Sequence, residues 1–199
     1  MSTQTRSLPT VMSVLWPARA QAEARLLRAL VLVVAGSALL ALSAHIAVPF
    51  YPVPMTLQTG VALLIGLAYG WKLGFTTVVV YLAEGALGLP VFTYGAGVGY
   101  LAGPTGGFLI GFAVAAAIAG YAFEKAPNAI GLVIGVVVAE IVTFALGLAW
   151  LTTLIGFDAA IANGLEPFIY GDILKTATAA LLAVAGRRYV QAWLGRAGG

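Results

Sequence analysis

Two oppositely charged residues lie one helical turn apart in an otherwise apolar stretch: Asp172 and Lys175, in GDILK at 171–175. Residues spaced i,i+3 share one face of a helix. An ammonium can bind a carboxylate or a carbonyl oxygen, and a carboxylate accepts hydrogen bonds from N–H donors. The pair therefore suits a small ligand that has both donor and acceptor groups. The alternative is an ion pair that only tolerates burial.

Two further carboxylates, Glu84 and Glu140, also interrupt apolar stretches. Burying one charge in a membrane costs about 2.5–3.5 kcal/mol on insertion scales, so such groups usually pair or serve function. For Glu84, a place in the same ligand cavity and pairing within a helix bundle are both open. For Glu140 we expect a structural role. A carboxylate such as Asp172 or Glu84 could also carry protons.

Two uncharged loops supply side chains that could complete such a site. The first, VPFYPVPMTLQTG at 48–60, has three prolines and includes Thr56 and Gln58. A rigid, apolar loop is poorly explained as a solvated connector, so we expect it to cap a ligand. Phe92 and Tyr94, in the second loop, are candidates for stacking on a flat ring.

Several kinds of chemistry are excluded by what the chain lacks. It has no cysteine and one histidine, His45, which excludes disulfides, thiolate nucleophiles, Cys-ligated metal centres and a multi-histidine metal site. GPTGG at 103–107 lacks the Gly-Lys-Ser/Thr end of a phosphate-binding P-loop. No nucleophile–base arrangement is visible, so we expect neither enzyme activity nor a cofactor.

The composition places these residues in a membrane protein. Of the 199 residues, 61% are hydrophobic and 9% are charged, whereas a soluble domain is roughly 25% charged. At about 20 apolar residues per spanning helix, the length allows about six spans. We therefore predict an all-α integral membrane protein, a bundle of six transmembrane helices. The predicted spans are 29–48, 57–70, 73–87, 107–123, 129–155 and 167–186.

Basic residues outside these spans all fall on one side of the predicted topology. They are Arg6, Arg19, Arg25, Arg28, Lys72, Lys125, Arg187, Arg188 and Arg196. Lys and Arg are enriched in cytoplasmic segments, so the pattern predicts that both termini are cytoplasmic. Residues 1–28 then form an N-terminal segment with an interfacial helix, 29–186 form the membrane domain, and 187–199 form a cytoplasmic tail.

Small residues are expected to bring the helices together, because lipid supplies little hydrophobic drive between them. Gly107 and Gly111, spaced i,i+4 in the fourth span, predict a close helix contact.

Four motifs carry a resemblance to a known family: YPVPMTLQT at 51–59, YLAEGALGLPVF at 81–92, GPTGGFLIGF at 103–112 and GDILK at 171–175. In this order and spacing they resemble the BioY family, the biotin-specific S-components of energy-coupling factor (ECF) transporters. The resemblance covers about residues 29–186. It implies six helices, high-affinity capture of biotin from outside and an outer loop that closes over the ligand. It also implies that Asp172 and Lys175 contact biotin.

The resemblance implies partners as well: a membrane coupling subunit and two ABC-type ATPases, in the lipid of a bacterial plasma membrane. S-components generally carry an Ala-xxx-Ala motif on the first helix, where the coupling subunit docks. The nearest match here is Ser37-xxx-Ala41.

The resulting hypothesis is a biotin-binding subunit of a vitamin uptake transporter, driven by a separate ATPase module. The candidate substrate-binding residues are Asp172, Lys175, Thr56, Gln58, Glu84, Phe92 and Tyr94. The alternative is a self-sufficient secondary transporter of a small organic anion, proton-coupled through Asp172 or Glu84.

Overall fold

The computed structural model describes residues 8–17 and 21–197 as a helical bundle with one short β-hairpin. Arg6 and Arg19, used above to predict the orientation, lie outside the described residues. Antiparallel strands β1 (Ala47–Val48) and β2 (Met55–Thr56) form the hairpin. The helices are α1 (Val11–Leu15), α2 (Ala22–Ala44), α3 (Gln58–Tyr69), α4 (Trp71–Ala86), α5 (Val98–Leu101), α6 (Gly106–Lys125), α7 (Ala129–Ile155), α8 (Phe157–Gly164) and α9 (Ile169–Ala197).

Each of the six predicted spans coincides with a helix, although not all of these helices are long. In the described part of the chain, four stretches are long and apolar enough to cross a membrane: Ala22–Ala44, Gly106–Lys125, Ala129–Ile155 and Phe157–Arg196. By contrast, α3 has 12 residues and α4 has 16. At 1.5 Å per residue, α3 covers about 18 Å of a hydrocarbon core about 30 Å thick.

Two helices extend beyond the membrane spans predicted for them. The first long helix begins at Ala22 rather than at residue 29, because AEARLLR consists mostly of strong helix formers. The last begins at Ile169, after a 3₁₀ turn, and continues to Ala197 instead of ending at Gly186. In both places the hydropathy changes while the helix continues.

Backbone and side-chain hydrogen bonds gather several helix ends at one end of the bundle. The buried guanidinium of Arg187 donates to the carbonyls of Ala126, at 2.6 Å, and Asn128, at 3.2 Å. The backbone N–H of Trp71 donates to the Glu124 carboxylate at 3.2 Å. The lysines that follow Trp71 and Glu124 belong to the same end, which we call the basic end.

The N-terminal segment packs against the bundle at the basic end. Helix α1 contacts α3 and α9, and Val14 is buried. The Arg28 guanidinium donates to the Met12 carbonyl at 2.7 Å. The described part of residues 1–28 is therefore tied to the membrane helices, and its location at a membrane surface stays a prediction.

Helix α6 is central, in contact with α3, α4 and α7. Glycines allow these backbones to meet: a Cβ on Gly66 of α3 would lie 2.8 Å from the Ala116 Cα of α6. A Cβ on Gly111 would lie 2.9 Å from the Thr143 Cα of α7, and one on Gly107 would also meet α7 backbone. Cβ atoms do not approach this closely, so these contacts require glycine. The predicted contact through Gly107 and Gly111 is confirmed.

The outer faces of the long helices remain apolar. On α7, large exposed side chains recur at helical spacing: Ile130, Ile134, Val137, Val138 and Ile141. Helix α2 shows the same pattern at Leu26, Leu27, Leu30, Val31 and Val34. Soluble monomers rarely expose contiguous apolar patches of this kind. Several apolar helices with such faces form a multi-pass membrane protein.

Candidate functional site

Lys175 links α9 to the β-hairpin. Its ammonium donates to the Thr56 backbone carbonyl at 3.0 Å and pairs with the Asp172 carboxylate one turn earlier. The side chains are 12% and 5% exposed, respectively. Asp172 lies in the first turn of α9, where the positive end of the helix dipole stabilises a carboxylate. The predicted i,i+3 pair is therefore present, buried and joined to the first loop.

A hydrogen-bond chain continues from the hairpin to the second loop. The Gln58 backbone N–H donates to the Thr56 hydroxyl at 3.2 Å, and the Gln58 side-chain amide donates to the Tyr81 hydroxyl at 2.6 Å. Tyr81 in turn donates to the Val91 carbonyl at 3.0 Å. The chain fixes the amide of Gln58 and connects both loops through one tyrosine of α4.

The second loop turns an aromatic side chain into the bundle. Phe92 is 1% exposed; it stacks on Tyr100 with ring centroids 4.9 Å apart and meets Tyr81 edge-on at 5.5 Å. Its ring lies against Gly85 of α4, where any Cβ would overlap it. Gly88, with a φ of 99°, allows the sharp turn before the loop.

Two small cavities lie below the hairpin and share five lining residues: Val53, Pro54, Thr56, Phe108 and Phe112. One, the amide cavity, is also lined by Gln58 and Phe92. The other, the ion-pair cavity, is also lined by Asp172 and Lys175. Each has a volume of about 30 Å³, against about 300–1,000 Å³ for small-molecule pockets. The side chains of the site therefore fill most of the space between the helices and leave no room for a ligand of that size.

Five of the seven predicted binding residues line these adjoining cavities: Asp172, Lys175, Thr56, Gln58 and Phe92. The other two do not. Glu84 is half-buried and accepts a hydrogen bond from the Ser37 hydroxyl of α2. Pairing within the bundle is therefore present, and a role of Glu84 in ligand binding stays a prediction. Tyr94 is 61% exposed and lines neither cavity.

The predicted docking residues are not turned outward. Ser37 is 1% exposed because its hydroxyl faces Glu84, and Ala41 is half-buried against the core. Docking through this part of α2 stays a prediction.

An aromatic wall of the site was missed at the sequence level. Phe108 and Phe112 line both cavities, and Phe168 lines the ion-pair cavity. Phe168 packs on Phe50 of the first loop with ring centroids 6.0 Å apart. One signal was available: Phe108 and Phe112 are spaced i,i+4 and so share a helix face. Tyr81 had a different signal, because it is the first residue of the YLAEGALGLPVF motif at 81–92.

An apolar helical bundle that encloses an ion pair, an amide and aromatic rings at one end is suited to a membrane protein that binds a small, partly polar molecule. Family comparison defines this class further. The chain belongs to the BioY family, whose model matches residues 12–192. This is a family of transporter S-components, which are not enzymes.

Individual relatives are similar over most of their length. The chain is 40% identical over 147 residues to the probable biotin transporter BioY of Pyrococcus horikoshii, covering 73% of this chain and 88% of that protein. It is 36% identical over 150 residues to the biotin transporter BioY of Thermotoga maritima, covering 74% and 89%.

One solved structure has a similar fold. It is the crystal structure of the S-component for biotin from an ECF-type ABC transporter, with a TM-score of 0.72 and 25% sequence identity. The match covers 85% of this chain and 95% of that chain.

Proposed function

We propose that the chain captures biotin at the hairpin end of the bundle and passes it inward together with an ATPase-driven partner module. The observation that carries the proposal is the contact of Lys175 with both Asp172 and the Thr56 carbonyl, beside an aromatic cavity. The names of the relatives, biotin transporters and an S-component for biotin, support the choice of ligand.

The chemistry of biotin suits these side chains. Biotin has an ionised carboxylate, a neutral ureido ring with N–H donors and a carbonyl acceptor, and an apolar body. Lys175 can hold an anionic or carbonyl oxygen, and Asp172 can accept from N–H. Thr56 and Gln58 offer further hydrogen bonds, and Phe92 covers the apolar body. Glu84 and Tyr94 line neither cavity, so contact of either residue with biotin stays a prediction.

Ligand entry requires the cavity to open. A bicyclic ligand does not fit into cavities of about 30 Å³. The first loop supplies Val53 and Pro54 to both cavities, while the second supplies Phe92. We infer that these two loops move outward to admit biotin and then cover it.

For the membrane topology we propose six crossings, with both termini cytoplasmic and the hairpin end outside a bacterial plasma membrane. The membrane domain then extends over residues 29–186, flanked by cytoplasmic segments 1–28 and 187–199. Short α3 and α4 count as two of the six crossings. Among the described residues, Arg28, Lys72, Lys125 and Arg187 lie at the basic end, away from the hairpin, and this supports the orientation.

The energy for uptake comes from partners in this proposal, because the chain lacks a P-loop. We propose a membrane coupling subunit and two ABC-type ATPases. Contact with the coupling subunit involves α2 near Ser37 and Ala41. Since Ser37 is buried against Glu84, we assign the contact to the exposed side of this helix.

The comparisons favour this function over a self-sufficient proton-coupled transporter, since the relatives include an S-component of an ABC transporter. Its direct test is binding of radiolabelled biotin to the detergent-purified chain without ATP. We expect saturable binding, and no competition by lipoate, which has a carboxylate and an apolar tail but no ureido ring. Absence of saturable biotin binding, or equal competition by lipoate, would contradict the proposal.

A further inference from the structure

Glu140 is a buried carboxyl group in the middle of α7 that the proposed site does not use. It is 8% exposed. Neither of its carboxyl oxygens has a hydrogen-bond partner among the residues that the structure describes, counting ordinary N–H and O–H donors. Leaving a buried polar group unsatisfied is costly. The position of Glu140 therefore needs a physical reason.

The groups that face Glu140 come from α9. Both helices line one groove, to which Glu140, Asp172 and Thr176 contribute polar side chains. The Asp172 carboxyl group lines the same groove and is buried as well, so the two carboxyl groups share one apolar environment between α7 and α9. Lys175, the partner of Asp172, is the nearby cation.

The other elements packed against α7 bring no charge to this point in the described part of the chain. Helix α3 has no charged residue, and α6 has charges only at its basic end, in Glu124 and Lys125. Asp158 of α8 and Glu166 of the following turn are exposed. The local balance is thus two carboxyl groups to one ammonium.

Two ionised carboxylates that share one buried groove repel each other and have no proton to share. A single proton allows an O–H···O hydrogen bond between the two groups and leaves one anion for one cation. Asp172 is the better anion, because Lys175 and the first turn of α9 stabilise its charge. Glu140 has no such donor and is therefore the better carrier of the proton.

We propose that Glu140 is a positioning residue of the binding site: its neutral carboxylic acid donates a hydrogen bond to Asp172 and holds that carboxylate in the orientation that meets Lys175 and the ligand. The inference rests on the proposed function, since it assigns Asp172 to biotin. The proton is a fixed part of the site and is not transported. Biotin affinity then requires a donor at position 140 and falls as rising pH removes that donor.

Two substitutions distinguish the effect of the hydrogen-bond donor at position 140 from the effect of side-chain size. Glu140→Gln keeps an N–H donor at similar size and cannot ionise, so we expect affinity within about threefold of wild type and no loss at alkaline pH. Glu140→Leu keeps the volume without a donor. We expect its biotin affinity to fall about tenfold or more, as for loss of a hydrogen bond to a charged group. A melting curve of each variant identifies loss of fold.

An infrared difference spectrum of wild type against Glu140→Gln gives a readout that does not depend on biotin. We expect the C=O stretching band of a neutral carboxylic acid in wild type at neutral pH and its loss in the variant. Absence of the band would overturn the inference. So would a Glu140→Gln protein as weak as Glu140→Leu, or one with the pH profile of wild type. If wild type fails to bind biotin while the band is present, the proposed function fails and the hydrogen bond from Glu140 stands.

Discussion

Lys175 and Thr56 are 119 positions apart in the sequence, yet the Lys175 ammonium donates to the Thr56 backbone carbonyl at 3.0 Å. The same ammonium neutralises Asp172. One side chain therefore holds both the start of α9 and the end of the first loop. A ligand that replaces either of these contacts would also change how firmly the loop is held, so we infer that binding and loop closure are coupled through Lys175.

Labelling of single cysteines tests the orientation, and the chain has no native cysteine to interfere. Tyr51 is 89% exposed in the first loop, and Asp158 is exposed on α8. We expect Tyr51→Cys and Asp158→Cys to react with a membrane-impermeant maleimide on intact cells. Lys125→Cys, exposed at the basic end, should react only after permeabilisation. Labelling of Lys125→Cys on intact cells would reverse the topology.

Tyr81→Phe tests the hydrogen-bond chain between the loops. The change keeps the ring against Phe92 but removes the hydroxyl that accepts from Gln58 and donates to Val91. Leaving these buried groups unpaired typically costs about 1–3 kcal/mol. We expect a lower melting temperature and biotin binding about tenfold weaker, measured by calorimetry.

The matched control is Tyr121→Phe, on the exposed side of α6. It should change neither quantity. If the Tyr81→Phe protein binds biotin as tightly as wild type, the hydrogen bonds of Tyr81 do not contribute to ligand binding.

Gly66→Ala tests the close approach of α3 and α6. The added Cβ would lie 2.8 Å from the Ala116 Cα, so one backbone must shift. Overpacking of this kind costs about 1–3 kcal/mol, and we expect a clear drop in melting temperature. Gly99→Ala is the control, since a Cβ there meets nothing within 4 Å. Equal melting of the two variants would mean that the contact contributes little.

The polar half of the site could be predicted because charged and amide side chains are conspicuous in an apolar chain. Asp172 and Lys175 share a helix face as their spacing indicates, and Thr56 and Gln58 lie beside them. The aromatic half was missed, because a shared helix face is the only signal that Phe108 and Phe112 give by spacing, and ordinary core residues give the same signal. Glu84 of α4 pairs with Ser37 of α2. This partner depends on how the two helices pack, and residue spacing within one helix does not predict helix packing.

Helix ends were predictable where the sequence stops the helix itself. Helix α7 has the predicted bounds, 129–155, because Asn128 caps its start and Gly156 ends it with a φ of 84°. Helix α2 begins before its predicted span, and α9 continues past its predicted span. The spans were predicted from hydropathy, which indicates the edge of the membrane and not the end of the helix. Helix-forming polar residues continue beyond that point.

The central claim, that biotin binds at Lys175 and Asp172, is tested most directly by the biotin affinity of folded Lys175→Met protein. Removing one partner of a buried pair typically costs about 3–5 kcal/mol, and part of this appears as lost affinity. We predict about hundredfold weaker binding by titration calorimetry, and a smaller but measurable loss for Asp172→Asn. Lys72→Met, exposed at the basic end, should bind as wild type does. Unchanged affinity in a Lys175→Met protein with a normal melting curve would contradict the account.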